Sequence, residues 1–540
     1  MTVSTTSPDS SRSVAEVSQV SLTPRQIKMI MVGLLSGIFL SAVDGTIVST
    51  ALPTIVGDLG GFDQLTWVVT SYFVTSTVAS LLIGKISDIF GRRPTFVLAI
   101  LVFLAGSMLA GVANSMIMLV AFRALQGIGG GGLQSLAFII LGDVLSPRER
   151  GRYMGWFTGT FALSGLVGPL LGGLIVDSAA LGWRWIFYLN LPIGAVTLVL
   201  VARYLKLPHR AAEVTVDWLG ATLLSIGVGA LLVAASIGGD DLAWSSPTIL
   251  GLCLVGVVFS GLFIGQELRA PNPILPLRLF GNDIFRTGVA LAFVTGGAMM
   301  SANICLPLFL QVVSGASATA SGLMLAPMML GLTVASIITG KRMTKTGTYR
   351  TSIRIGPFLC LAGIIGLTTL GVGSPVWAAT PFVIINGIGI GMTMPPLSVA
   401  IQNGVSHADL GVATAANAFF RTLGMTFGVA AFGALLAARL RSELADRLPA
   451  DQVADLDVAE LTGSPETVRD LSAELHDVVV ASVAEGVRLV YLAGIPVAGL
   501  MVLAAWRLRA VPLRGTSPMA EAAAESEALT VPAPQEAAAR

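Results

Sequence analysis

Apolar runs about twenty residues long follow one another through nearly the whole chain, separated by short segments that collect charged residues, Gly and Pro. A run of that length crosses about 30 Å of hydrocarbon as an α-helix. The runs are apolar on every face, whereas strands of a membrane barrel would alternate apolar and polar positions. The pattern predicts fourteen spanning helices, near residues 28–50, 66–84, 95–113, 117–141, 152–176, 185–205, 217–237, 247–266, 285–313, 322–340, 352–371, 377–402, 412–438 and 487–506. An even number of crossings puts both termini on one side of the bilayer.

Composition agrees, because 540 residues with 54% hydrophobic and 12% charged side chains are too apolar for a water-soluble core. Net charge is close to zero, at +1, so no global field points to nucleic acid. Cys253, Cys305 and Cys360 lie inside apolar runs and show neither disulfide nor zinc spacing, and His209, His407 and His476 form no cluster. No metal site, cofactor or catalytic Ser/His arrangement is expected, and the chain does not read as an enzyme. Residues 1–20 lack the apolar core and cleavage site of a secretory signal. Tails 1–27 and 507–540 read as disordered.

Basic residues fix the orientation, since Lys and Arg accumulate in cytoplasmic loops. With the N-terminus inside, cytoplasmic segments hold roughly 24 of the 32 Lys and Arg. Both termini are therefore expected in the cytoplasm of a cell whose inner, or plasma, membrane holds the protein. Residues 439–486 form the one long outer segment, and the stretch DLSAELHDVVVASVAEGVRLV within and beyond it reads as an amphipathic cap or a passive connector.

An internal repeat organises the spans. GKISDIFGRRP from Gly84 is echoed by GKRMTKTGTYR from Gly340, and GIGGGG from Gly127 by GIGIGM from Gly387. Gly165, Gly168 and Gly173 are echoed by Gly424, Gly428 and Gly433. The nearly constant offset predicts two homologous six-helix bundles, 28–210 and 285–506, with two inserted spanning helices and a linker over 211–284.

Four motifs carry a family resemblance: AVDGTIVSTALP in the first span, GKISDIFGRRP between the second and third, RALQGIGGG in the fourth and SGLVGPLLGG in the fifth. They resemble motifs of the drug:proton antiporters of the major facilitator superfamily, and fourteen spans with the WRWIFYLNLPIG stretch look like its EmrB/QacA branch. The resemblance implies an all-α major facilitator fold and export of lipophilic compounds in exchange for protons.

Intramembrane charges are the first candidate residues. Asp44 lies deep in the first span, where an ionised carboxylate costs several kcal/mol unless paired or protonated, which makes it a proton-site candidate. A structural Asp satisfied by backbone or hydroxyl groups is the alternative. Arg123, near the start of the fourth span, is a partner in proton transfer by the resemblance, or a snorkelling side chain. Arg421 sits about ten residues into the thirteenth span, with no equally deep acid in its own half. Its expected partner is therefore Asp44, in a lock between the halves that breaks on protonation.

Gly84, Asp88, Gly91, Arg92 and Arg93 form the turn between the second and third spans and read as a conformational latch. Thr344 replaces the Asp in the second copy. Gly165, Gly168, Pro169, Gly172 and Gly173 permit close helix approach and a kink, and by the resemblance they are the antiporter signature. Candidate cavity residues are Gln134, Met299, Met300, Asn303, Asn417, Phe419 and Phe420, with plain packing as the alternative for each. Gly127, Gly129 and Gly132 match GxGxxG by pattern, but inside a membrane helix they make no dinucleotide site. No GxxxxGK[ST] loop is present, so ATP is not the expected energy source.

The reading is a monomeric solute:proton antiporter working by alternating access, with lipophilic drugs or antibiotics as solutes. Export of lipid or cell-envelope components, and a membrane sensor or scaffold without turnover, are the competing readings.

Overall fold

The computed structural model describes residues 23–60, 64–176, 178, 181–207, 216–239, 242–449, 468 and 471–513. Its helices are α1 (Pro24–Leu59), α2 (Leu65–Phe90), α3 (Arg92–Gly111), α4 (Met116–Val144), α5 (Pro147–Val176), α6 (Trp185–Tyr188) and α7 (Asn190–Tyr204) in the first half. Then come α8 (Trp218–Ile237) and α9 (Pro247–Glu267). The second half holds α10 (Asp283–Leu308), α11 (Ala318–Thr346), α12 (Arg350–Leu367), α13 (Thr380–Asn403), α14 (Leu410–Arg447) and α15 (Ala473–Arg507). With α6 and α7 forming one crossing, fourteen segments are long and apolar enough to span a bilayer, as the hydrophobic pattern predicts.

Polar residues at the run boundaries set where helices begin. Thr23 and Gln26 make a reciprocal capping box ahead of Pro24, while Ser115, Ser246 and Ser317 accept the first free N–H groups of α4, α9 and α11. Gly91 adopts φ 94°, which only glycine tolerates without strain, and turns α2 directly into α3. We call the side bearing the start of α1 and the end of α15 the terminal face, and the opposite side the far face.

The repeat is visible in the packing. A Cβ on Gly168 or Gly172 of α5 would lie 2.9 Å from Thr46 Cβ or Ile47 O of α1, respectively. A Cβ on Gly424 or Gly428 of α14 would lie 2.7 Å from Phe293 C or 3.0 Å from Gly297 Cα of α10. The two halves meet at two equivalent crossings near the terminal face. In one, Gly84 of α2 sits against Gly411 O and Ala415 of α14; in the other, Gly340 of α11 sits against Gly151 of α5. α8 lies against α2 and α14, and α9 packs on α8 with an apolar side outward.

Beyond these crossings the halves part. Gly151, Gly155 and Gly159 of α5 follow α11 from Gly340 through Ile337 to Thr333. The same stripe of α5 continues as Leu163, Leu166, Leu170 and Leu174, which are 52%, 48%, 62% and 63% exposed. The far-face part of α5 thus presents a lipophilic stripe beyond its contact with α11.

Two expectations need correcting. Both ends of the segment 439–486 belong to spanning helices: α14 runs on to Arg447, and α15 begins at Ala473, so the amphipathic stretch from Ala473 is the first part of the last spanning helix. Leu436, Leu440, Leu444, Val479 and Val483 share one core, and Glu443 pairs with Arg439 and Arg447 at i,i+4 spacing, so both helices gain packing by extending past the hydrocarbon. Residues 508–513, expected in a disordered tail, run over the terminal face. There Val511 N donates to the Tyr349 hydroxyl (3.0 Å), Leu513 N to Gly347 O (3.2 Å) and Asn403 Nδ2 to Pro512 O (3.2 Å). Residues 24–27, also expected in a disordered tail, form the first turn of α1, capped by Thr23, while residues 1–22, 514–540 and most of 450–470 lie outside the described residues.

Candidate functional site

Asp44 occupies the middle of α1 with no exposed surface. Arg123 enters from α4, and its Nη1 donates to Asp44 Oδ2 at 2.5 Å and to Gln126 Oε1 at 2.7 Å. Gln126, one turn after Arg123 on the same helix face, donates through Nε2 to Asp44 Oδ1 at 2.8 Å. Asn190, the first residue of α7, donates to the same oxygen at 2.7 Å. Both Asp44 oxygens are therefore held by donors from two other helices.

A second layer holds the donors. Ser107 of α3 accepts from Asn190 (2.9 Å) and Gln126 (3.2 Å) and donates to Phe187 O (2.8 Å). The Arg123 guanidinium lies 4.4 Å from the centre of the Tyr72 ring on α2, and its Nε reaches Val68 O at 3.4 Å. Tyr72 donates to Ser41 O of α1 at 3.1 Å. Ser107, Arg123, Gln126, Asn190 and Tyr72 are all at most 1% exposed. A buried pair this well bonded is stable as a unit, whereas removing one partner costs about 3–5 kcal/mol by stranding the other charge.

In this conformer the expected lock between the halves is not made: the partner of Asp44 is Arg123, from the same half. α4 packs beside α1, so the guanidinium reaches the carboxylate without crossing the interface. Arg421 is half-buried in α14 and, among the described residues, has no carboxylate within ion-pair distance and no hydrogen-bond partner. Sequence reasoning missed Gln126, Asn190, Ser107 and Tyr72. Gln126 stands in the RALQG motif three residues after Arg123, and Asn190 in the WRWIFYLNLPIG stretch, so their motifs were noted without their roles. Ser107 carries no sequence signal.

At the terminal face, Arg92 bridges Asp88 (2.5 Å) and Asp143 (2.7 Å) and donates to Ser87 Oγ (2.6 Å), while Arg93 donates to Ala202 O of α7 (2.5 Å). Asp88 lies at the first turn of α14, with Oδ1 2.7 Å from where a Cβ of Gly411 would stand. The turn at Gly84–Arg93 thus meets the other half. At the equivalent place on α11, Arg148 of α5 donates to Thr344 O (2.6 Å) and Lys345 O (3.0 Å). Arg150, fully buried, donates to Leu145 O, Gly142 O and, across the interface, Gln402 Oε1 at 3.1 Å.

The glycine motif of α5 divides. Gly168 and Gly172 hold α1 close, next to the Asp44 site, with Pro169 between them, whereas Gly165 and Gly173 meet nothing within 4 Å. Of the cavity candidates, Gln134, Met299, Met300 and Phe420 are half-buried. Asn417 and Phe419 are corrected to interior positions: Asn417 donates to Ser398 Oγ of α13 (3.0 Å), and Phe419 packs in the core. The Asn303 side chain falls outside the described residues. At the far face, Asp58 accepts from Trp183 Nε1 (2.9 Å) and Arg184 (2.8 Å), donors that hold its carboxyl below the ordinary carboxylate range.

Known proteins agree with this architecture. The Multidrug transporter protein MdtP of Bacillus subtilis is 40% identical over 420 residues, 78% of this chain and 77% of its own length. Multidrug resistance protein 3 of the same organism is 40% identical over 409 residues, covering 75% and 79%. The proton:xylose symporter XylE superposes with a TM-score of 0.61 over 94% of this chain and 100% of its own, at 14% identity, a likeness of fold alone. The sequence profile described as the Major Facilitator Superfamily matches residues 34–429, and in agreement with fourteen candidate spans in two six-helix halves plus two inserted helices, the chain belongs to this superfamily of membrane transporters.

Proposed function

We propose that the chain is a proton-coupled exporter of lipophilic compounds, drugs among them, and that Asp44 carries the exchanged proton. The carrying observation is the Asp44 site: one carboxylate, fully enclosed, whose donors are a guanidinium and two amides. That donor set matches the ionised form. A proton on Asp44 would face the same donors, release Arg123 and free it to shift against Tyr72 and Val68 of α2. α2 is one of the helices crossing to the other half, so the local change has a route to the interface.

The names of the relatives support drug export, and the apolar stripe Leu163–Leu174 supports a lipophilic solute. The distribution of Lys and Arg assigns the terminal face to the cytoplasm. The conformer then opens outward, sealed inside by the glycine crossings, Arg148 and Arg150. Alternating access requires those contacts to part while the far face closes. We further propose a monomer in the plasma membrane that draws no energy from ATP.

The test is transport by Asp44→Asn in reconstituted vesicles. The amide mimics the protonated acid, so gradient-driven export of a lipophilic dye should fall at least about a hundredfold while dye exchange without a gradient persists. Uphill export at the unaltered rate would move the proton site elsewhere.

A further inference from the structure

Charge in the membrane interior is unbalanced. In the first half, Asp44 and Arg123 neutralise each other. In the second half, Arg421 stands eleven residues into α14, about 17 Å from its start and near the middle of a bilayer. Acids of the second half's spanning helices lie toward the faces: Asp283 at the start of α10, Glu443 and Asp446 near the far end of α14, Asp477 in the second turn of α15, and Glu485 further along α15 but level with Leu436, fifteen residues beyond Arg421 on α14. Among the described residues, no acid from either half pairs with Arg421.

The guanidinium is not turned to lipid. Around the helix it lies roughly 40° from Asn417, which is bonded to α13, and roughly 60° from Gly424, which is packed on α10. Its own backbone carbonyl faces Gly296 of α10. Arg421 therefore lies on the inward side of α14, beside the stripe that meets α10 and α13, and it is half-buried there. The flanking residues are lipophilic: Phe420, next in the chain and edge-on to Phe280 and Phe419, and half-buried Met299 and Met300, three and four residues beyond Gly296 on α10. A cation that stays charged, held at mid-membrane without a counter-ion, is expensive unless another molecule supplies the anion.

We propose that Arg421 is the anion-recognising group of the transport pathway, and that the chain takes lipophilic solutes bearing a single carboxylate or comparable acidic group. The planar fork binds a carboxylate in a bidentate manner, and the Phe and Met side chains receive the apolar body. The same charge repels cationic amphiphiles. This deepens the exporter reading by naming a substrate class, and it rests on that reading.

The experiment compares binding of 11-(dansylamino)undecanoic acid and its methyl ester to the full chain in phosphatidylcholine nanodiscs, without a proton gradient. The acid should bind about tenfold or more tightly than the ester. Arg421→Gln should abolish that preference and leave the ester's affinity within about twofold, which also shows that the variant is folded. Arg421→Lys should keep part of the preference, because charge is retained and the fork lost. Equal affinities in the unmodified protein, or a preference that survives Arg421→Gln, would overturn the proposal. So would a preference that vanishes when phosphatidylglycerol is added to the discs, which would make a lipid phosphate the partner. If preference is absent while gradient-driven export of a neutral dye persists, this proposal fails alone; if no dye is driven uphill, the exporter reading fails.

Discussion

At the scale of single residues, energetics are governed by what happens to a charge that has lost its partner. Asp44 and Arg123 are at most 1% exposed, so each is tolerated only because the other is 2.5 Å away with Gln126 and Asn190 completing the shell. Either Asp44→Ala or Arg123→Ala should cost about 3–5 kcal/mol of stability, and the double variant should cost less than the sum by about 2 kcal/mol or more. Thermal unfolding of the four proteins in detergent measures that coupling. The same cycle with Arg421 in place of Arg123 should be additive within about 0.5 kcal/mol, since no contact joins Arg421 to Asp44. Coupling in the second cycle and none in the first would restore the lock between halves. The sequence made both arginines visible as deep charges but not which of them meets Asp44. That choice depends on which helices are neighbours, and the lack of a deep acid in Arg421's own half pointed to Arg421, whereas in this conformer Arg123 makes the contact.

At the scale of helices, glycine positions carry the architecture. The offset of 256 between Gly84 and Gly340 is legible in the sequence, and the structure adds Gly151 and Gly411, 260 apart, as their partners in two glycine-to-glycine crossings related by the repeat. Sequence alone did not separate Gly168 and Gly172, which touch α1, from Gly165 and Gly173, which touch nothing, because one motif wraps more than one helix face. Helix ends were legible where a cap marks them, as at Thr23, and not at Arg447 or Ala473, where helix continues beyond the apolar window. The crossings give a prediction. A side chain on Gly340 would run into the Gly151 backbone, which cannot yield, so Gly340→Val should disfavour the closed terminal face. In a background without native cysteines, Leu166→Cys should then react several-fold more slowly with an impermeant maleimide, as the far cleft spends less time open. An unchanged rate would mean that the crossing does not set which face is sealed.

For the whole molecule, the question is what weighs one face of the cleft against the other. Toward the far face, Leu163, Leu166, Leu170 and Leu174 of α5 are exposed, and among the described residues no polar contact ties them to the other half. The terminal face is held together by polar contacts laid over the glycine crossings. Arg148 satisfies two carbonyls at the end of α11, where the helix dipole favours a cation, and Arg150 ties Gly142 and Leu145 of its own half to Gln402 of the other. Neither arginine stood out in the sequence, because both sit in the PRER turn among ordinary loop charges. Opening the terminal face lets water replace Arg148's bonds, so that contact weighs little. Arg150 is different, since it is fully buried and its three acceptors are sealed with it. Arg150→Ala leaves those acceptors without their donor only while the face is closed, and should remove about 2 kcal/mol from the closed state, a shift of about thirtyfold in the ratio of the two conformers. Spin labels at Arg152→Cys and Arg350→Cys, one on each half at the terminal face, read that ratio directly. The distance distribution should gain a longer component in Arg150→Ala and keep its single short one in Arg148→Ala. If Arg148→Ala opens the face and Arg150→Ala leaves it shut, the seal depends on the exposed helix-end contact, and the buried bridge serves only to order its own half.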